Sequence, residues 1–161
     1  MRVDSSPLAL WCCPSCAGGI ERLSEDQVHC VSCGATYPAC DDIPDLRSRD
    51  GVSTYADDDL RDARELSAAC RGVSLERVMD KLCDRPEHDD ATRALRVRQI
   101  LESPRRLSSQ FDGWLSFCAK DRNVFLDIGC GSGGLLAEAV NRGLTAAGID
   151  ASMTMLVAAK H

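Results

Sequence analysis

Long hydrophobic runs are missing from this sequence. No segment stays apolar for long enough to span a bilayer as a helix. Near the N-terminus, residues 8–13 are too short for a signal peptide and lead straight into a cysteine motif. Positive charge is scarce as well: 19 Lys and Arg stand against 25 Asp and Glu, a formal net charge of −6. A chain with that balance is not built as a whole to coat nucleic acid. Aromatic residues are few, at 4%, although the hydrophobic share of 44% suits a globular protein. There is no low-complexity run, and no repeat beyond one pair of cysteine knuckles. These absences lead us to expect a cytoplasmic protein with no membrane partner. At 161 residues it can hold one ordinary domain, or a small module and part of a larger one.

What the chain does have is cysteine, ten in all, six of them between positions 12 and 40. Cys13-Pro14-Ser15-Cys16 and Cys30-Val31-Ser32-Cys33 form two C-x-x-C knuckles separated by 13 residues. Each knuckle presents two thiolates from a tight turn. Two knuckles together supply the four sulfurs of a closed tetrahedral zinc site. A redox motif of the thioredoxin kind calls for a βαβ context, which is absent here. Cys13, Cys16, Cys30 and Cys33 are therefore the expected metal ligands. Cys12 does not give the matching gap. Cys40 reads as a buried apolar residue or a surface thiol, and His29 reads as a strand residue. Metal binding would supply stability that so small a core lacks.

The segment from Cys30 to Leu46, with Gly34, Tyr37-Pro38, Asp41-Asp42, Ile43-Pro44 and Asp45-Leu46, resembles a particular zinc ribbon. That ribbon occurs as the small activator subunit of tRNA- and protein-methyltransferases. It is also fused to the N-terminus of many bacterial methyltransferases. The resemblance covers about the first quarter of the chain, residues 7–47, and implies a structural, non-catalytic zinc. Asp42 stands where the family often has glycine.

Residues 52–122 read as a helical segment after a linker near residues 47–51. Leu60, Ala63, Leu66 and Cys70 recur at helical spacing. Ser74 suits an N-cap before Leu75, Val78, Met79, Leu82 and Cys83, an amphipathic face. A third helix is expected from Asp89 or Asp90, with Ala91, Ala94, Leu95, Ile100 and Leu101 inward, ending before Ser103-Pro104. A fourth is expected over residues 107–120, with Phe111, Trp114, Leu115 and Cys118 on one face. Residues 91–110 carry five arginines (Arg93, Arg96, Arg98, Arg105, Arg106) against Glu102. They read as a solvated face pairing with the acidic segment before it, which is favoured over a patch for RNA phosphate.

The fold class expected for the whole is α/β: a four-cysteine ribbon, the helical segment, then the βαβα start of a Rossmann-like domain over residues 123–161. Residues 124–128 read as a strand, 129–134 as a glycine turn and 135–142 as a helix. A second strand over 144–149 and a helix over 152–160 follow. Gly129, Gly131 and Gly134 fit a dinucleotide fingerprint, while Gly129, Gly131 and Gly133 fit the loop of class I methyltransferases. Asp127 separates the two. A carboxylate inside an apolar strand needs a partner; a dinucleotide site prefers an apolar residue there, whereas S-adenosylmethionine brings an ammonium and a sulfonium. Asp150, at the end of the second strand, can accept both ribose hydroxyls or cap the next helix.

Phe125-Leu126-Asp127-Ile128-Gly129-Cys130-Gly131-Ser132-Gly133 resembles motif I of class I methyltransferases, and Ala147-Gly148-Ile149-Asp150-Ala151-Ser152 the acidic motif after it. The resemblance implies S-adenosyl-L-methionine as cofactor, bound by Asp127, Gly129, Cys130, Gly131, Gly133, Asp150, Ala151 and Met155. Cys130 reads as a small turn residue and not a nucleophile, and Met155 equally as a core residue. The family's domain continues through further strands. The chain is thus expected to be an N-terminal fragment, to be completed by a second chain, or to persist as a binding module. No catalytic base and no methyl acceptor are assigned by the sequence. A non-catalytic ribbon partner of another methyltransferase is the alternative, and an NAD-dependent oxidoreductase a weaker one.

Overall fold

The computed structural model describes residues 11–47, 54–117 and 124–161. The architecture is mixed α/β with a cysteine-bearing sheet at its N-terminal end. That sheet holds β1 (Ile20–Arg22), β2 (Gln27–Cys30), β3 (Thr36–Cys40) and β4 (Ile43–Pro44), antiparallel and in sequential order. Ile20 pairs with Cys30, Val28 with Tyr37 and Cys40 with Ile43. Its small core is Cys13, Ile20, Val28, Cys30 and Ala39. The β3–β4 turn is Asp41-Asp42, at φ 55° and 69°. Two left-handed residues make the turn that matches strand twist, so Asp42 takes a conformation in which glycine carries no side-chain penalty.

The larger core is helical. From α1 (Thr54–Cys70), Leu60, Ala63, Leu66 and Cys70 are all buried, as their spacing predicts. In α2 (Leu75–Leu82) the Ser74 side chain accepts from the Arg77 N–H at 3.4 Å, the expected cap. Val78, Met79, Leu82 and Cys83 are buried, but Leu75 in the first turn is 45% exposed.

Residues expected to form two helices form one, α3 (Asp90–Phe117), which runs through Pro104. It begins as predicted, with the Thr92 N–H donating to Asp89 Oδ1 at 2.7 Å. A proline inside a helix costs about 3 kcal/mol, and tertiary contacts on both sides of it hold the helix in line. Before Pro104, Arg93 forks onto Asp80 at 2.7 and 3.0 Å and Val97 enters the core. After it, Ser108 donates to Glu138 of the next helix at 2.9 Å. The inward face also differs from expectation: Val97 is buried, Ile100 and Leu101 are half-buried, and Ala91, Ala94 and Leu95 are exposed. Phe111 is fully buried. The side chains of Trp114 and Leu115, and all of Cys118, lie outside the described residues.

The last unit is β5 (Val124–Ile128), α4 (Gly134–Asn141), β6 (Thr145–Ile149) and α5 (Met153–Lys160). β5 and β6 pair in parallel, Leu126 opposite Ala147 and Asp127 opposite Gly148. On one side Phe125 meets Phe111 edge-on, ring centroids 5.0 Å apart at 67°. The alternate residues Val124, Leu126 and Ile128 are 65%, 55% and 76% exposed. α5 does not cover them. Its Met153, Val157 and Ala158 are buried in the core shared with α1 and α2. No described helix is long and apolar enough to cross a membrane.

Candidate metal centre and glycine-loop site

The two cysteine knuckles share one backbone pattern. The Cys13 N–H donates to the Gly18 carbonyl and the Cys30 N–H to that of Ala35, both at 2.8 Å. The Ala17 N–H returns to the Cys13 carbonyl at 2.8 Å, and the Gly34 N–H to that of Cys30 at 2.9 Å. The residue four beyond each first cysteine is left-handed, Ala17 at φ 57° and Gly34 at 74°. Gly18 is required for a different reason: a Cβ there would lie 2.4 Å from Ser32 Oγ and 3.0 Å from Cys30 Sγ.

The four sulfurs of Cys13, Cys16, Cys30 and Cys33 all lie within 4.8 Å of one another. Cys13 and Cys33 are 3.7 Å apart, and Cys16 and Cys30 3.5 Å. A tetrahedron with Zn–S bonds of about 2.3 Å has S–S edges of about 3.8 Å, so the donor set fits that ion. The Tyr37 hydroxyl sits 3.0 Å from Cys13 Sγ and 3.3 Å from Ser15 Oγ. That hydrogen bond draws the Cys13 pKa down to about 6. The Gly18 N–H pulls Cys16 down, yet sharing protons with the Cys30 and Cys33 thiols takes it up to about 12. A divalent cation removes that competition by deprotonating the ligands it binds. Cys12 is exposed, Cys40 is buried in the helical core, and His29 stays in β2, outside the sulfur cluster.

At the C-terminal ends of β5 and β6 the glycine loop is tied to the second strand. The N–H groups of Gly129 and Cys130 both reach the Ile149 carbonyl, at 2.7 and 3.1 Å. Gly129, Gly131 and Gly133 all have positive φ, which gives the sharp turn into α4. Gly133 stands at the N-cap of α4 without a side-chain cap; it is buried, and a Cβ there would lie 3.0 Å from Ala159 Cβ of α5, while one at Gly134 would lie 2.4 Å from Ser103 Oγ of α3. Gly148 serves packing, since a Cβ there would meet Leu136 Cδ1 at 2.5 Å and Cys130 Sγ at 2.7 Å.

Asp150 sits across the loop. Its Oδ2 accepts from the Gly131 N–H and its Oδ1 from the Ser152 N–H, each at 2.8 Å. A carboxylate offers about four lone-pair sites, so about two remain for a ligand. The helix cap proper is Ser152, which accepts from the Met155 N–H at 3.3 Å. Asp127 is half-buried on β5, and burial, with the charge of Asp150, raises its pKa; no donor among the described residues offsets this. Burial and the charges of Asp150 and Asp127 push the Cys130 thiol up to about 11, so it is protonated at neutral pH. Ala151 is exposed, and Met155 packs partly buried against the helical core.

A second group of residues escapes motif reasoning. The Arg47 guanidinium forks onto Asp45 at 2.7 and 2.8 Å. It also reaches Asp59 Oδ2 and the Ala151 carbonyl, both at 2.8 Å, and the Ala56 carbonyl at 3.1 Å. Asp59 in turn accepts from Met153 N–H at 2.7 Å, Thr154 Oγ1 at 2.6 Å and Ser152 Oγ at 2.9 Å. Residues 47–51 read as a linker, and Asp57-Asp58-Asp59 opens a helical segment in the acidic stretch before the arginines. One signal was available: Asp59 lies in helical phase with Ala63, Leu66 and Cys70, on the stripe that is buried.

No known protein family, curated protein or solved structure gives a match to this chain.

Proposed function

We propose that residues 123–161 carry the cofactor-binding half of an S-adenosylmethionine-dependent methyltransferase of Rossmann-like fold, with a structural zinc in the N-terminal ribbon. One observation carries this reading: the Asp150 carboxylate and the Gly131 N–H meet at 2.8 Å where two parallel strands end. An acid and a glycine turn joined at the C-terminal edge of a parallel pair form the crevice where such folds bind nucleoside ligands. The remaining lone pairs of Asp150 suit ribose hydroxyls. Asp127, half-buried with no donor among the described residues, suits the cationic end of an amino-acid ligand.

When bound, S-adenosylmethionine supplies an electrophilic methyl group on a sulfonium. The residues of this chain would hold and orient it: Gly129 and Gly131, where an added Cβ meets nothing within 4 Å, would admit it close to the backbone, whereas Gly133 packs against Ala159; Asp150 and Asp127 would face its ribose and ammonium. Titration calorimetry with S-adenosylhomocysteine tests this. Asp150→Ala is expected to weaken binding about ten-fold or more, the scale of hydrogen bonds to a charged group. Equal affinities for wild type and variant would remove Asp150 from the site.

A second reading has its own support. The exposed stripe Val124, Leu126 and Ile128 is an uncovered apolar sheet face, as suits a chain that docks on another methyltransferase. Co-purification with such an enzyme supports it. Cofactor binding by a soluble monomer alone counts against it.

A further inference from the structure

Arg47 spends every donor it has. A guanidinium carries five N–H groups, and those of Arg47 have five acceptor contacts, two to Asp45 and one each to Asp59, Ala56 and Ala151. These acceptors belong to three parts of the molecule. Asp45 ends the ribbon and is itself fixed there by its N–H to the Pro38 carbonyl at 2.8 Å. Ala56 and Asp59 lie in α1. Ala151 stands between Asp150, which holds the glycine loop, and Ser152, which caps α5.

The contacts continue on both sides. Asp59 receives the first N–H groups of α5, at Met153 and Thr154, where a helix terminus favours a negative charge. At the far end of α5, Lys160 Nζ bonds the Asp41 carbonyl and lies 3.3 Å from Asp42 Oδ2 on the β3–β4 turn. α5 is thus held at its far end by the ribbon's β3–β4 turn and at its start by Asp59 of α1, which Arg47 also contacts. The segment it begins in is the one that positions Asp150.

We propose that Arg47 is a positioning residue that couples metal loading of the ribbon to ligand binding at the glycine loop. Loss of the metal releases Asp45, and with it the guanidinium that holds Ala151 and Asp59 together. By reciprocity, a ligand bound at Asp150 tightens metal binding by the same factor. This rests on the methyltransferase reading only for the identity of the ligand.

The test compares wild type, Arg47→Met and Arg47→Lys, each zinc-loaded and chelator-stripped, well below their melting temperatures. S-adenosylhomocysteine is titrated by calorimetry, and amide hydrogen exchange is followed at Ser152, Met153 and Thr154. Stripping zinc from wild type is expected to weaken binding about 5–20-fold, within the usual range of coupling. Zinc-loaded Arg47→Met should already show that loss and gain no further sensitivity to stripping; Lys should restore part of it. A purely structural role would lower the melting temperature and leave affinity and its zinc dependence unchanged, which overturns the proposal. If no form binds S-adenosylhomocysteine, the cofactor reading falls and exchange decides the coupling. Faster exchange at residues 152–154 in stripped wild type, matched in zinc-loaded Arg47→Met, upholds it; unchanged exchange overturns it. Should Arg47→Met fail to fold, Asp45→Asn, which weakens the fork, takes its place with the same expected outcomes.

Discussion

The Met153 N–H donates to Asp59 Oδ2 at 2.7 Å, joining residues 94 apart in the chain. A side chain of one helix thereby caps another, and the cap is buried, with Asp59 only 7% exposed. Removing a buried, hydrogen-bonded charge leaves its partners unpaired, here Arg47 and the first turn of α5. Asp59→Ala is therefore expected to cost about 3–5 kcal/mol in urea unfolding. A cost under about 1 kcal/mol would mean water replaces the carboxylate, as at an exposed cap.

The same group predicts a pH dependence. Burial alone would push the Asp59 carboxyl up, but the hydrogen bonds from Thr154, Met153 and Ser152 outweigh it and hold the pKa below the usual range. A folded pKa below the unfolded value of about 3.9 gives stability that is complete above about pH 4 and lost as pH falls through the folded pKa. Wild type should thus lose stability more steeply in that acidic window than Asp59→Asn, which has no such proton to take up. Parallel curves for the two proteins would refute the assignment.

Metal analysis is expected to find about one zinc per chain in protein prepared without chelator, and close to none in Cys30→Ser. Stripping the metal should unfold the ribbon, because its core has five buried residues among those described and zinc binding in comparable small sites contributes about 10–16 kcal/mol. A ribbon that keeps its native exchange protection without metal would show that the sheet stands by itself.

Gly148→Ala tests the packing under the glycine loop. The added Cβ would lie 2.5 Å from Leu136 Cδ1 and 2.7 Å from Cys130 Sγ. Overpacking of this kind is expected to cost about 1–3 kcal/mol. Because Gly148 pairs with Asp127 in the ladder, the strain should also broaden or shift the NMR signals of the loop amides at residues 129–131.

Thiol labelling distinguishes the cysteines. Cys12 is exposed, whereas Cys130 is buried with its pKa raised to about 11, by burial first and then by Asp150 and Asp127. At neutral pH, in zinc-loaded protein, iodoacetamide should modify Cys12 readily and Cys130 last of the two, because the thiolate is the reacting form. Comparable rates at both sites, read by peptide mass spectrometry, would contradict the burial of the loop.

Much of both candidate sites was legible in the order of residues. The cysteine knuckles, the strand–glycine–helix sequence before Asp150 and the Ser74 cap are short-range patterns. Their geometry is set within about five residues by turn chemistry, and nothing distant has to cooperate. The amphipathic faces of α1 and α2 were legible for the same reason, since a helix repeats its own phase.

Only the tertiary structure decided the rest. Whether the helix breaks at Pro104 depends on Asp80 and Glu138, which flank it from other elements. Whether Leu95 or Val97 faces inward depends on where α2 lies, not on hydropathy. The role of Arg47 and Asp59 is the clearest case. Neither belongs to a recognisable motif, and each becomes structural because an N–H or carbonyl from a remote segment arrives at hydrogen-bond distance. By itself, the sequence determined which groups can bind a metal and turn the chain. Helical phase can mark a position such as Asp59 as inward but not name its remote partners, so what joins those groups into one molecule emerged only when the chain was folded.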